Sequence, residues 1–402
     1  MREAELREHP MGTLFGDPLP GAPEMAHRGD TVTGVRTICL TNPDQPDVTR
    51  DRAESGYPLC SRELTVEVWY PACPEEGAVP AVYTDHMGRT DLGNLVPFSM
   101  PGRALRDAAP DSSAGPRPVI VISHGYPGSR FLLSNLAESL SSRGYVVLSV
   151  GHKENTYEDF APQRSLESAV VHRSLDQRFV ISELPRLNRE GFLKGLLQPE
   201  NVGLIGFSMG GYGALRTVGA RLSREALDQF ESIRDELAEA PSFHGLKAVR
   251  AAAFFAPATF WLDETRLQDL DIPTIWFCGT ADNTVHYKAV RRFWLHAEQS
   301  DRILISYVNC GHNVANNPAP PEAQSASWEI YKRWSDPVWD TWRLNNSNAH
   351  FLAAFFAKNL LGQPEMDLYL SGTPENGQPG DMSQDLAGFV PGGSAGIKIE
   401  RL

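Results

Sequence analysis

A serine set between glycines, Gly206-Phe207-Ser208-Met209-Gly210, ends the apolar run "NVGLIG". A serine hydroxyl is a poor nucleophile at neutral pH, so it needs a histidine to take its proton and an acid to orient that histidine. Where a serine sits on a sharp turn between a strand and a helix, the partners follow in the order acid, then histidine. The sequence offers both in that order. "PTIWFC" runs into "GTADNTV", placing Asp282 on a loop after a strand, and "RILISYV" runs into "NCGHNVA", placing His312 on the next such loop. The chemistry this implies is attack of Ser208 on a carbonyl, with His312 as general base and Asp282 holding the imidazole. Each residue also has a plainer reading: a small residue at a turn, a helix-capping aspartate, a polar loop histidine. Their agreement carries more weight than any one of them.

The tetrahedral intermediate of such a reaction needs hydrogen-bond donors for its oxyanion, each worth about 3 kcal/mol. A helix opening at Met209 would aim that residue's backbone N–H at it. The second donor is expected from "VIVISHGYPGSR", where Gly125 permits an unusual turn and the N–H of Tyr126 follows. His124 precedes this donor and is read as structural. His286, His296 and His350 fall in helical stretches, and Asp263, Asp269 and Asp271 precede their strand rather than follow it.

These loops need strands to hold them. Short apolar runs at 118–123, 145–150, 201–206, 249–256, 273–278 and 302–308 alternate with helical stretches near 130–142, 166–187 and from Met209. Strand alternating with helix predicts an α/β fold with a mostly parallel central sheet flanked by helices. "TGVRTICL" and "ELTVEVWYPA" predict an N-terminal antiparallel pair, while residues 73–118 are turn-rich and stay unassigned. Residues 1–29 read as an arm, 30–362 as the main domain, and 363–402 as a C-terminal extension with a last strand at "AGIKIERL". Within the domain, 222–245 interrupts the rhythm. Leu222, Ala226, Phe230, Ile233 and Leu237 share a helical face, which fits a surface helix packed on the sheet or a cap over the site.

Composition removes several function classes. A net charge of −13 argues against nucleic acid and against anionic lipid as partners. No apolar stretch approaches the roughly 20 residues that span a bilayer, and the start, "MREAELREHPMGTLFG", has no apolar signal core. A cytoplasmic protein is expected. The five cysteines (Cys39, Cys60, Cys73, Cys278, Cys310) are scattered and show no zinc spacing, which suits free thiols; Cys310 lies two residues before His312. No metal, phosphate or nucleotide motif is present, so no cofactor is expected. The residues give no sign of oligomeric state.

With "VEVWYPA", "SHGYPGSR", "GFSMGGYGAL", "GTADNTV" and "CGHN" in hand, residues 30 to 360 resemble the α/β-hydrolase superfamily, in particular its dienelactone-hydrolase-like or platelet-activating-factor-acetylhydrolase-like esterases. The resemblance implies cofactor-free cleavage of a small-molecule carboxylic ester. Dienelactone hydrolases proper use a cysteine nucleophile, so dienelactone cleavage is not carried over to Ser208. Many lipase-like members have histidine where this chain has Phe207, which disfavours lipid substrates. A lactonase or amide hydrolase would use the same residues. Acyl transfer to another alcohol, or a binding protein on a hydrolase fold, stands further off.

Two stretches are candidates for shaping the substrate pocket. "SWEIYKRWSDPVWDTW" puts Trp328, Tyr331, Trp334, Trp339 and Trp342 after the histidine loop, either as core or as an aromatic wall beside substrate. His152, just after the strand at 145–150, is a second candidate contact.

Overall fold

The alternating β-branched stretches near the N-terminus form β1 (Thr33–Pro46) and β2 (Leu59–Pro71), antiparallel, with Val35 opposite Trp69 and Ile38 opposite Val66. A computed structural model describes residues 14, 17–74, 77–113, 115–160, 163–238, 246–371 and 385–402 of the chain. In the stretch left unassigned from sequence, β3 (Pro80–Met87) and β4 (Val96–Arg106) pair antiparallel, and β4 lies parallel beside β1. Prolines and glycine inside β4 mask its strand character, and its place next to the sheet edge tolerates them.

The remaining chain follows the predicted rhythm. It runs β5 (Arg117–Ser123), α1 (Ser134–Ser141), β6 (Val146–Gly151), α2 (Ser165–Arg189), β7 (Leu197–Phe207) and α3 (Met209–Thr217). After α4 (Arg224–Gln229) and α5 (Arg234–Ala238) come β8 (Val249–Phe255), β9 (Thr274–Gly279), α6 (Tyr287–His296) and β10 (Arg302–Tyr307). The short α7 (Pro321–Ser325) and α8 (Trp328–Tyr331) lead to α9 (Thr341–Leu360) and β11 (Ile397–Arg401). All strands join one 11-stranded mixed sheet in the order β11-β10-β9-β8-β7-β5-β6-β2-β1-β4-β3. From β6 to β10 the neighbours are parallel, and this block is joined antiparallel at its two ends, to β2 beside β6 and to β11 beside β10. The predicted last strand is β11, and it covers the free edge of β10.

The parallel strands are apolar on both faces because helices cover both. Val119 to Ile122 and Val146 to Leu148 are essentially fully buried; each such Val, Ile or Leu contributes roughly 1.5–3 kcal/mol. The two faces can be told apart on β7. Gly203 lies against Phe356 of α9, whereas Gly206, three residues on and so on the opposite face, lies against Gly210 of α3. Tyr212 of α3 donates its hydroxyl to the Val170 carbonyl of α2, tying the helices of that second face together.

The interruption after α3 packs as its apolar face requires. Leu222, Ala226, Phe230, Ile233 and Leu237 are all buried, and Phe230 meets Trp261 edge-to-face at 5.4 Å. The Tyr57 hydroxyl donates to the Ser232 carbonyl. Residues 239–245 of the expected cap segment lie outside the described residues, as do most of the arm and 372–384 of the C-terminal extension. The described part of the arm is anchored, since Trp342 donates its indole N–H to the Asp17 carbonyl and Asp17 is itself buried. Among the described residues no helix is long and apolar enough to cross a membrane.

Candidate active site

Ser208 joins β7 to α3 with φ 53° and ψ −113°, a conformation that costs a non-glycine residue about 1–3 kcal/mol. Its surroundings enforce it. The Ser208 N–H donates to the Phe255 carbonyl at 2.9 Å, and its own carbonyl accepts from Tyr212 and Ala258, both at 3.0 Å. The turn closes only because Gly210 has no side chain: a Cβ there would sit 2.1 Å from the Ser123 carbonyl oxygen.

Asp282 follows β9 and His312 follows β10, and the two loops touch through backbone at Gly279, where a Cβ would lie 2.2 Å from the carbonyl oxygens of Cys310 and Gly311. This brings all three side chains into one line. His312 Nδ1 is 2.8 Å from Asp282 Oδ2, and His312 Nε2 is 2.9 Å from Ser208 Oγ. An ionised carboxylate only accepts, so Nδ1 carries the proton; Nε2 is then the acceptor and the serine hydroxyl donates to it. Burial opposes the charge on Asp282. The hydrogen bond and charge of His312, with the N–H groups of Val285 and Thr284, overcome that and hold the carboxyl below its ordinary range. The Asp282 side chain is fully buried while that of His312 is 19% exposed, so the string of hydrogen bonds opens to solvent on the histidine side. The Phe207 ring lies 5.2 Å from the His312 ring and backs it.

The expected donor loop abuts Ser208: a Cβ on Gly125 would lie 3.6 Å from the Ser208 Cβ. Its orientation is set by residues that sequence reasoning missed. Arg173, wholly buried on α2, donates Nη2 to the Gly125 carbonyl at 2.9 Å, Nη1 to the His124 carbonyl and Nε to Asn155 Oδ1 at 2.9 Å. His124 Nε2 accepts from the His152 N–H at 3.2 Å, so its proton sits on Nδ1, which donates to the Gly125 carbonyl at 2.7 Å. Burial and the neighbouring Arg173 charge push His124 well below the usual imidazole range, keeping it neutral. In a trans peptide the C=O and N–H point in opposite directions. Drawing the Gly125 oxygen toward Arg173 and His124 therefore turns the Tyr126 N–H the other way. Gln177, one turn further along α2, donates to the Gly210 carbonyl at 3.2 Å.

Ser208, His312, Gly125, Tyr126 and Phe207 line a cavity of about 450 Å³, bounded on other sides by Leu132, Tyr157, Thr284 and residues of the segment after the histidine loop. Met209 is buried at the first position of α3, next to Ser208.

The architecture now has a counterpart. The chain superposes on a ferulic acid esterase from Streptomyces cinnamoneus with a TM-score of 0.56 and 20% identity, over 86% of this chain and 96% of that one. The fold is that of the α/β-hydrolases. A family model for platelet-activating factor acetylhydrolase, isoform II, matches residues 94–161. That stretch holds β5, the Gly125–Tyr126 loop and β6, but none of Ser208, Asp282 and His312. No curated protein sequence is significantly similar to the chain.

Of the two candidates for shaping the pocket, neither His152 nor the tryptophans line it. His152 does not reach the cavity. It is fully buried, with Nε2 2.7 Å from Ser123 Oγ and Nδ1 2.9 Å from Asp176 Oδ2, and Asp176 takes a two-pronged hydrogen bond from Arg62 at 2.8 and 3.2 Å. Burial pulls the His152 pKa down to about 4, so it is neutral. The aromatic wall is also absent from the lining. Trp334 is buried edge-to-face against Phe98, Trp339 packs on Tyr307, and Trp328 is exposed; the segment meets the cavity instead through Lys332, Arg333, Ser335, Asp336 and Pro337. Burial pushes the Cys310 thiol far above its usual range, which leaves it inert.

Among the described residues, Asp85, His86 and Glu158 are the cluster whose ligand atoms could converge on a metal, all within 4.8 Å of one another. Asp85 already spends one oxygen on the Ser129 hydroxyl and the other on the His86 N–H.

Proposed function

We propose that this protein is a serine hydrolase that cleaves carboxylic esters through an acyl-enzyme. Ser208 attacks the ester carbonyl as His312 takes its proton. His312 then gives that proton to the leaving alcohol, and Asp282 holds the imidazole tautomer and stabilises its charged form. The N–H groups of Tyr126 and Met209 receive the oxyanion. Water, activated by the same histidine, releases the acid and restores the serine. The observation that carries this reading is the hydroxyl–imidazole–carboxylate line at 2.9 and 2.8 Å, opening into the cavity beside the donor loop. The named activities of the two matches, an acetylhydrolase family and an esterase, support an ester as the bond cleaved.

The test is hydrolysis of p-nitrophenyl esters from acetate to long chains by the wild type and by Ser208→Ala. Turnover and fluorophosphonate labelling are expected in the wild type and absent in the variant, with the chain-length profile sizing the acyl site. A folded wild type that releases no nitrophenol and takes no label refutes the reading.

A further inference from the structure

The lining of the cavity has an uneven charge. Three residues with charged side chains line it, Lys332, Arg333 and Asp336, and the Arg333 charge acts on Tyr157, another residue of the lining. Asp336 spends its carboxylate on backbone, accepting from Gly311 at 2.7 Å, Val338 at 2.9 Å and Trp339 at 2.7 Å. Lys332 pairs with Glu329 at 2.5 Å on the outer side. Arg333 is different. Among the described residues its guanidinium forms no ion pair and donates no hydrogen bond.

Its placement is nevertheless built. Asn313, next to the reactive histidine, donates to the Lys332 carbonyl at 2.7 Å and the Ser335 carbonyl at 2.8 Å; Asn316 donates to the Arg333 carbonyl at 2.8 Å. On the other side Trp334 is locked in the core. The histidine loop thus holds the segment that bears Arg333 at a fixed place beside the reacting groups. A guanidinium presented this way, in a protein whose net charge of −13 repels anions at large, is a local reversal of sign at the mouth of the reaction.

We propose that Arg333 selects esters that carry an anionic group, a carboxylate or a phosphate, on either side of the scissile bond. The planar fork of arginine matches both oxyanions with paired hydrogen bonds. This substrate class rests on the esterase reading above.

The experiment compares kcat/KM for 4-acetoxybenzoate and 4-acetoxyphenyl phosphate with methyl 4-acetoxybenzoate, and for mono-4-nitrophenyl glutarate with 4-nitrophenyl butyrate. Each anionic-to-neutral ratio is measured in the wild type, Arg333→Met, Arg333→Lys and Lys332→Met. Comparing the ratio between variants cancels the intrinsic reactivity of each ester, and fluorophosphonate labelling of Ser208 reports folding. At least one anionic pair is expected to lose about tenfold or more of its ratio in Arg333→Met, with partial retention in Arg333→Lys. The wild-type ratio should fall in 0.5 M salt, as screening requires. The arm that responds, carboxylate or phosphate, names the group. Ratios unchanged within about twofold in Arg333→Met, or lost in Lys332→Met instead, overturn the proposal and leave the esterase reading standing. No turnover of any ester, charged or neutral, sinks both.

Discussion

Arg173→Met is the substitution that asks most of the structure, because Arg173 touches none of the reacting side chains. Burial lowers its pKa to about 9, still above neutrality, so it acts as a buried cation with three hydrogen bonds. Methionine keeps the stem's bulk and removes the fork. The Gly125 carbonyl then keeps only the His124 Nδ1–H, and the His124 carbonyl loses its guanidinium donor. An oxyanion donor is worth about 3 kcal/mol when perfectly aimed. Losing one of two anchors loosens the Tyr126 N–H without deleting it, so roughly half of that, about 1.5 kcal/mol, is at stake. That is about tenfold in rate. Because the oxyanion exists only past the ground state, kcat and kcat/KM should fall together, with KM moving less than about threefold. Leaving a buried carbonyl unmet adds about 1–3 kcal/mol of lost stability, read as a lower Tm. Steady-state kinetics on p-nitrophenyl acetate, normalised to the fraction of enzyme that fluorophosphonate titrates, separates the two effects. A normalised kcat within twofold of wild type would show that the donor loop needs no help from α2. A loss confined to KM would show that Arg173 serves binding rather than the oxyanion.

Asp282→Asn should leave the fold intact and lower kcat by about 10⁴, the cost of the wrong imidazole tautomer; a loss under tenfold in p-nitrophenyl acetate turnover would mean another group orients His312. The same carboxyl is held below its ordinary range in the folded protein, so its stabilising contribution is present above the unfolded pKa and lost as pH falls through the folded one. The wild-type advantage in urea stability over Asp282→Asn should therefore be flat above about pH 5 and shrink below about pH 4. Gly210→Ala drives a methyl group into the Ser123 carbonyl; a destabilisation of about 3 kcal/mol or more is expected, and a variant melting within a degree of wild type would contradict the close approach.

The alignment of Ser208, His312 and Asp282 is legible because each member sits on a loop directly after an apolar run. Strand ends are the one place where sequence order and spatial position coincide in a parallel sheet. The approach of the Gly125 loop to Ser208 is legible for the same reason. Arg173, Asp176 and Gln177 were not, since they lie inside a 25-residue helix whose polar residues look like a solvated face until the helix is docked against β5 and α3. The apolar stripe from Leu222 to Leu237 was read correctly as a packing face, but a stripe does not say which surface it covers. In the segment after the histidine, of the two roles open to the tryptophans Trp334 takes the core, where it buries more area than at the cavity, and Lys332, Arg333 and Asp336 line the cavity. In β4 the prolines hid a strand whose position next to the sheet edge permits them.

Ser123, His152 and Asp176 reproduce, at 2.7 and 2.9 Å, the same sequence of hydroxyl, imidazole and carboxylate as the reactive line. Every atom of that second string is sealed from solvent. A template that matches only atom types and separations would return both strings from this one molecule and rank them as equals. What divides them is access: one imidazole can exchange its proton with a bound molecule, and the other can only pass strain between β5, β6 and α2. Solvent exposure of the imidazole is therefore a criterion of equal standing with distance when such a constellation is judged, or tie-rods will be counted as engines.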